Sequence, residues 1–328
     1  MMGRQQRLAG IVLYCLGVAL LSASAAIVFS GPFWARTYLT PLACAGILLT
    51  LDGLNGALSG SSLLLSDPGR FLGLFALSIL MRLAFELMNF RLKDWLYDGL
   101  PAIGALRWAG YVLAFGVVLP TLEEARQFLE TVLPLKKIAG SPFRITEGLR
   151  DTMVLLGLAS LILPLVWPAT LFPLAWGAVF LLLEPGGSRF APLQSPLFDL
   201  SMGSAEALLS WCGAGLLCGV LWEAVNWGAG ARWVYTLPLP AGPRVFELPL
   251  AGYAGFPAYA LGCASVFSLA ARVWPRMGVG ERAAAVFAWT PVVGDLVVVP
   301  LGEHRYVGVE GAHVPVEQIV FVVAAKLG

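Results

Sequence analysis

Long apolar runs separated by short polar breaks dominate the chain. They fall at 8–29, 38–51, 71–90, 101–121, 152–167, 169–183, 205–227 and 248–272, with a further run at 283–301. A helix crossing the hydrocarbon core needs about 20 residues, so the pattern predicts an all-α polytopic membrane protein with eight or nine transmembrane helices. The long polar interval is 122–151, with Glu123, Glu124, Arg126, Lys136, Lys137, Arg144 and Arg150. It reads as a linker between a first half at 1–121 and a second at 152–272, followed by a C-terminal segment at 273–328. From about residue 292 that segment is Val-rich, alternating and punctuated by glycine, a pattern that also fits a short β hairpin in place of a ninth helix.

The two halves repeat one another. Phe85-Glu86-Leu-Met-Asn89, then Trp95-Leu-Tyr97 and Leu100-Pro101, returns about 137 residues later as Trp222-Glu223-Ala-Val-Asn226, Trp233-Val-Tyr235 and Leu237-Pro238. Upstream, the segment from Pro41 to Asp52 lies without gaps over the segment from Pro173 to Glu184. Downstream, Ala109-Gly-Tyr111 lies over Ala251-Gly-Tyr253. Apolar helices match by chance because their alphabet is small. Ordered matches at Pro, Glu, Asn, Trp and Tyr do not arise that way. Each repeat holds four helices, and an even number returns the chain to its starting side. The repeats therefore share an orientation and are related by a pseudo-two-fold axis along the membrane normal, not by inversion.

Composition agrees with a lipid-facing chain. Hydrophobic residues make up 58% and charged residues 12%, against about 25% charged in soluble domains. The formal net charge of +1 gives no footprint for nucleic acid. With a cytoplasmic N-terminus, the loops on that side hold Arg4, Arg7, Arg70 and the basic residues of 122–151. The opposite loops hold fewer, among them Arg36, Arg91, Lys93, Arg232 and Arg244. The positive-inside rule thus places the N-terminus in the cytoplasm. Ser22-Ala-Ser-Ala-Ala26 looks like a signal-peptidase site, but the apolar run continues to Phe29, so the segment reads as an uncleaved first helix.

Acids inside membrane spans are expensive and need a reason. Glu86 and Asn89 share a helix face, with Arg82 one turn earlier. The matching stripe in the second repeat is Gly215, Gly219, Glu223 and Asn226, so Arg82 is replaced by Gly219. We expect the two Glu-bearing helices to meet near the axis, with Arg82 bridging both glutamates and the Gly215–Gly219 spacing allowing close approach. Glu223 lacks a basic residue one turn upstream, which makes it the stronger proton-donor candidate. Glu86, Glu223, Asn89 and Asn226 are the candidate catalytic residues. Arg82, Trp95, Tyr97, Trp222, Trp233, Tyr235, Glu247 and Tyr253 are candidates for a substrate wall. Trp and Tyr at span ends serve equally well as headgroup anchors, and the acids with Arg82 equally well as structural pairs. The prolines between 236 and 258 predict irregular backbone.

Several chemistries are excluded. The two histidines, His304 and His313, lie in the last 25 residues, so paired-histidine haem ligation, a Ser-His dyad and a membrane metalloprotease within the helices are absent. The five cysteines form no C-x-x-C. No cofactor or metal is expected. Glu123-Glu124 after Pro120 resembles the paired-glutamate motif of CPBP-type intramembrane proteases, which also need histidines on later helices.

The W-x-Y with an upstream acid, followed by Pro120 and Glu123-Glu124, resembles the lycopene-cyclase domain family, duplicated membrane enzymes that cyclise an isoprenoid by protonation. The Trp222-Glu223 step resembles membrane meroterpenoid cyclases, whose motif places a Glu after a Trp. The second repeat departs from the first by carrying a lone Glu247 instead of a paired glutamate. The duplicated E-x-x-N…W-x-Y unit also looks like that of a bacterial polytopic family, which implies the inner membrane. Carboxylates, amides and aromatics without a nucleophile dyad suit proton-initiated chemistry on an isoprenoid or other lipid. The same set suits a proton-coupled transporter, in which Asp52 and Glu184 would extend the route, or a scaffold subunit of a membrane complex. The expected partner is a membrane lipid or lipid-soluble small molecule, and a homo- or hetero-oligomer remains open.

Overall fold

The computed structural model describes residues 2–190, 195–239 and 242–273. The run at 283–301, the Val-rich tail and both histidines lie outside these residues. Helices α1 (Met2–Ser30), α3 (Leu39–Ser59) and α5 (Pro68–Leu92) are joined by the short α2 (Phe33–Thr37) and α4 (Leu63–Ser66). Strand β1 (Trp95–Asp98) follows, then α6 (Gly104–Gly116) and α7 (Val118–Val132). The second half runs α8 (Glu147–Val166), α9 (Pro168–Phe190), α10 (Pro196–Ser201), α11 (Glu206–Gly228), β2 (Arg232–Tyr235), the small strands β3 (Arg244–Val245) and β4 (Leu248–Pro249), and α12 (Gly255–Val273). Among the described residues, eight helices are long and apolar enough to cross a membrane. The chain is an all-α polytopic membrane protein.

Apart from the extra short helix α2 in the first half, the order long helix, long helix, short helix, long helix, strand occurs in both halves. The first two long helices pack together in each, α1 on α3 and α8 on α9. The α1–α3 contact is unusually close. A Cβ on Gly53 would lie 2.2 Å from the backbone nitrogen of Tyr14, and one on Gly10 would lie 2.6 Å from the backbone of Ala57. Glycine is required where two helical backbones approach this closely.

Three sequence expectations change. First, 122–151 does not begin as a linker. The helix continues to Val132, so Gly104–Val132 forms one apolar stretch that bends at Val117. The charges there turn inward instead of toward water. Glu123 is fully buried and takes Arg70 at 2.6 Å and Arg126 at 2.8 Å. Second, the predicted helices ending near Asp52 and Glu184 run on to Ser59 and Phe190. Both acids are buried side-chain acceptors for the next short helix. Asp52 accepts from Ser62 Oγ at 2.5 Å and from Leu64 N at 3.1 Å. Glu184 accepts from Ser195 Oγ at 2.6 Å and from Leu197 N at 2.8 Å. A repeated acid thus holds each N-cap serine in place. Third, the glycine pair of α11 faces α12. A Cβ on Gly215 would strike the Phe256 backbone at 2.5 Å, and one on Gly219 would strike the Phe256 ring at 2.3 Å. Its main helical neighbours are α12 and α7, not α5.

Candidate functional site

The duplicated motif folds each strand back onto its own helix. Lys93, at φ 58°, ends α5 in the left-handed region and reverses the chain. Asn89 then meets Trp95 as a neighbouring strand would. Its Oδ1 accepts from Trp95 N at 3.2 Å and Asp94 N at 2.8 Å, and its Nδ2 donates to Trp95 O at 2.9 Å. Asn226 does the same for Trp233, with 2.9 Å to its N–H and 2.8 Å to its carbonyl. A carboxamide offers one acceptor and donors side by side, matching a peptide's N–H and C=O. Neither Asp nor Leu has that pattern.

One turn back along each helix sits the glutamate, and two residues on along each strand sits the tyrosine. Trp95 Nε1 donates to both oxygens of Glu86 at 3.2 Å, and the Tyr97 hydroxyl donates to Oε1. In the second repeat Glu223 Oε1 accepts from Trp233 Nε1 at 3.2 Å and from the Tyr235 hydroxyl at 2.6 Å. Side chains on a strand alternate faces, so Trp and Tyr of each W-x-Y point the same way, onto the carboxylate.

The two strands then pair with each other. Trp95 faces Tyr235, Leu96 faces Val234, Tyr97 faces Trp233 and Asp98 faces Arg232 in an antiparallel ladder. Each half therefore supplies one strand of a two-stranded ribbon. Since Trp95 corresponds to Trp233, Leu96 pairs with its own counterpart. That register has local two-fold symmetry and is isologous.

The halves differ at Arg82. It pairs with Glu86 at 2.8 Å and donates to the Tyr97 hydroxyl at 2.9 Å, while its guanidinium lies 4.8 Å from the Trp95 ring and 5.3 Å from Phe115. The expected bridge to Glu223 does not form, and among the described residues Glu223 has no ion pair. Its Oε2 is buried without a hydrogen-bond partner there. The reason is a size exchange. Extending the Ala109–Tyr111 match by three residues aligns Ala114 with Phe256. The first half has Arg82 with Ala114, and the second has Gly219 with Phe256, whose ring fills the space an arginine would take.

A cavity of about 160 Å³ lies between the halves, inside the ribbon. Arg82, Trp95, Tyr97, Trp222, Trp233 and Tyr235 line it, joined by Trp176, Tyr111, Phe115 and Tyr259. Glu86, Asn89, Glu223 and Asn226 do not: they stand behind the indoles and phenols, fully buried. Glu247 and Tyr253 also lie off the cavity. Glu247 pairs with Arg232 at 2.8 Å, and the Tyr253 hydroxyl donates to Val245 O at 3.0 Å. Trp95 at 3% exposure and Tyr97 at 6% are not headgroup anchors, while Trp233 and Tyr235 on β2 are part-buried. Tyr38 and Leu106 line the cavity and are themselves exposed, so it reaches the outer surface beside α2 and α6.

Burial pushes the Tyr97 and Tyr235 phenols well above the usual range, and the neighbouring glutamate reinforces the shift in each. Both phenols keep their protons at neutral pH, and each hydroxyl uses its one donor on the glutamate behind it. Sequence reasoning missed Trp176, Tyr259 and Phe256. The gapless alignment offered a signal for one of them: Trp176 lies over Cys44, and both line the cavity.

No protein-family model, curated protein or solved structure matches the chain.

Proposed function

We propose that the protein is a membrane-embedded acid–base enzyme acting on an isoprenoid or other lipid-soluble molecule held in the aromatic cavity between its halves. One observation carries this reading: two phenols line an otherwise largely aromatic cavity, each hydrogen-bonded to a carboxyl group buried behind it. The wall would stabilise a developing carbocation through its ring faces. The proton would start on the Glu223 carboxyl and reach the substrate through the Tyr235 hydroxyl, which accepts it while releasing its own. An isomerisation or cyclisation ends by returning a proton to the same pair, so the proton count closes. Glu223 is the better relay because Glu86 is already engaged by Arg82. Less supports transport, since Asp52 and Glu184 are occupied by the serine caps of α4 and α10.

The test compares lipid extracts of cells carrying wild-type protein, Tyr235→Phe and Glu223→Gln by mass spectrometry, with protein levels and melting checked in parallel. One isoprenoid or lipid species is expected to fall and its precursor to rise in both variants. Extracts that match wild type in every lipid species would remove the enzyme reading.

A further inference from the structure

A second cavity, of about 530 Å³, opens beside the Asp98–Arg232 end of the ribbon. It lies where the C-terminal ends of α1 and α11 come together, with Phe29 and Trp227 among its lining. Its charged lining is Arg36, Arg232 and Asp98. Arg232 and Asp98 face each other in the ladder, and Arg232 also pairs with Glu247. Arg36 is different. Among the described residues it makes no ion pair, and its Nε is buried without a hydrogen-bond partner. Its position is fixed, because Gly230 N donates to the Arg36 carbonyl at 2.8 Å and the Gly230 backbone lies tight against it. A guanidinium nitrogen drawn out of water without a partner is costly until an acceptor joins it.

The surroundings define the anion. Phe29 is 83% exposed and Trp227 57%, each at the end of a long apolar helix. Exposed aromatics at such a level belong beside lipid headgroups, and arginine matches phosphate oxygens through its forked N–H donors. We propose that this cavity binds the phosphate of an anionic membrane phospholipid, with Arg36 as its main ligand, Arg232 as second and the acyl chains lying against α1 and α11. The site shares Arg232 with the lining of the aromatic cavity, but its main ligand, Arg36, lies outside that lining, and the proposal does not rest on the chemistry proposed there.

The experiment uses the purified full chain in detergent, titrated with phosphatidylglycerol, phosphatidylcholine or inorganic phosphate. Native mass spectrometry reads bound lipid, and thermal unfolding reads the shift in melting temperature. One phosphatidylglycerol is expected to bind and stabilise, with phosphatidylcholine weaker and inorganic phosphate without effect. Arg36→Gln should weaken phosphatidylglycerol by about tenfold or more, the loss of a charge-assisted contact. Arg36→Lys should fall between, and Arg244→Gln, on an exposed strand outside the cavity, should change nothing. Unchanged binding by either folded Arg36 variant would overturn the site. Equal stabilisation by inorganic phosphate, or equal binding of phosphatidylcholine, would overturn its assignment to an anionic lipid.

Discussion

Asn89 and Asn226 show how one side chain can take the place of a strand. Each matches a tryptophan's backbone N–H and C=O where no other chain is close enough to do so. Replacing either by Leu leaves at least one donor and one acceptor unmatched in a dry setting, at a cost of about 2–3 kcal/mol. Both variants should therefore melt measurably earlier in detergent, and Asn89→Asp, which keeps an acceptor and loses the donors, should fall between. Wild-type melting in Asn89→Leu would mean the amide is dispensable. Asp94, beside this contact, has the opposite character. It is buried, and neither carboxylate oxygen has a hydrogen-bond partner among the described residues. Burial pushes its carboxyl up from 3.8 to about 6. The folded state thus holds the proton more tightly than the unfolded chain, so stability is full below pH 3.8 and is lost as pH rises through about 6. Asp94→Asn should stabilise the protein at pH 7.5 by on the order of 1–2 kcal/mol, with solvent screening allowed for, and by little near pH 4. Equal gains at both values would place the effect elsewhere. Nothing in the sequence marked Asp94, because an acid in a polar break looks solvated.

At the scale of elements, the helix turn and the strand repeat fit together. Glu and Asn three apart on a helix, and Trp and Tyr two apart on a strand, bring two contacts into register at once. Those spacings were legible in the chain, and so was their duplication. The pairing of the two W-x-Y segments with each other was not. Segments roughly 138 residues apart announce no partner by local pattern, and in a membrane protein their aromatics read as anchors. The glycine pair of α11 was legible as a close contact but not as a contact with α12. Similarly, Glu123 and Glu124 looked like the start of a linker because burial and the reach of Arg70 cannot be read from composition. The ribbon register has a direct check. Facing residues of an antiparallel pair lie about 4.5–5.5 Å apart at Cα, within disulfide range. With a protease site placed in the loop at 139–146, Leu96→Cys with Val234→Cys should hold the two fragments together on a non-reducing gel. Leu96→Cys with Leu237→Cys should not. Linkage by the displaced pair alone would refute the register.

For the molecule as a whole, the halves meet at the ribbon and enclose the aromatic cavity between them, so neither repeat alone contains it. The exchange of Arg82 and Ala114 for Gly219 and Phe256 makes that cavity unlike at its two sides, with a guanidinium on one and a phenyl ring on the other. A ligand would therefore enter in a single orientation. Eight spans in two matched sets were readable from hydropathy and repetition. The cavity was not, because it arises from parts of both sets that meet only after folding. The self-facing pair at the middle of the ladder has a historical consequence. A gene half as long, encoding one set of four spans, would have closed the same ribbon by docking with an identical molecule. Joined in one chain, two such sets can vary separately, as the exchange of Arg82 and Ala114 for Gly219 and Phe256 illustrates.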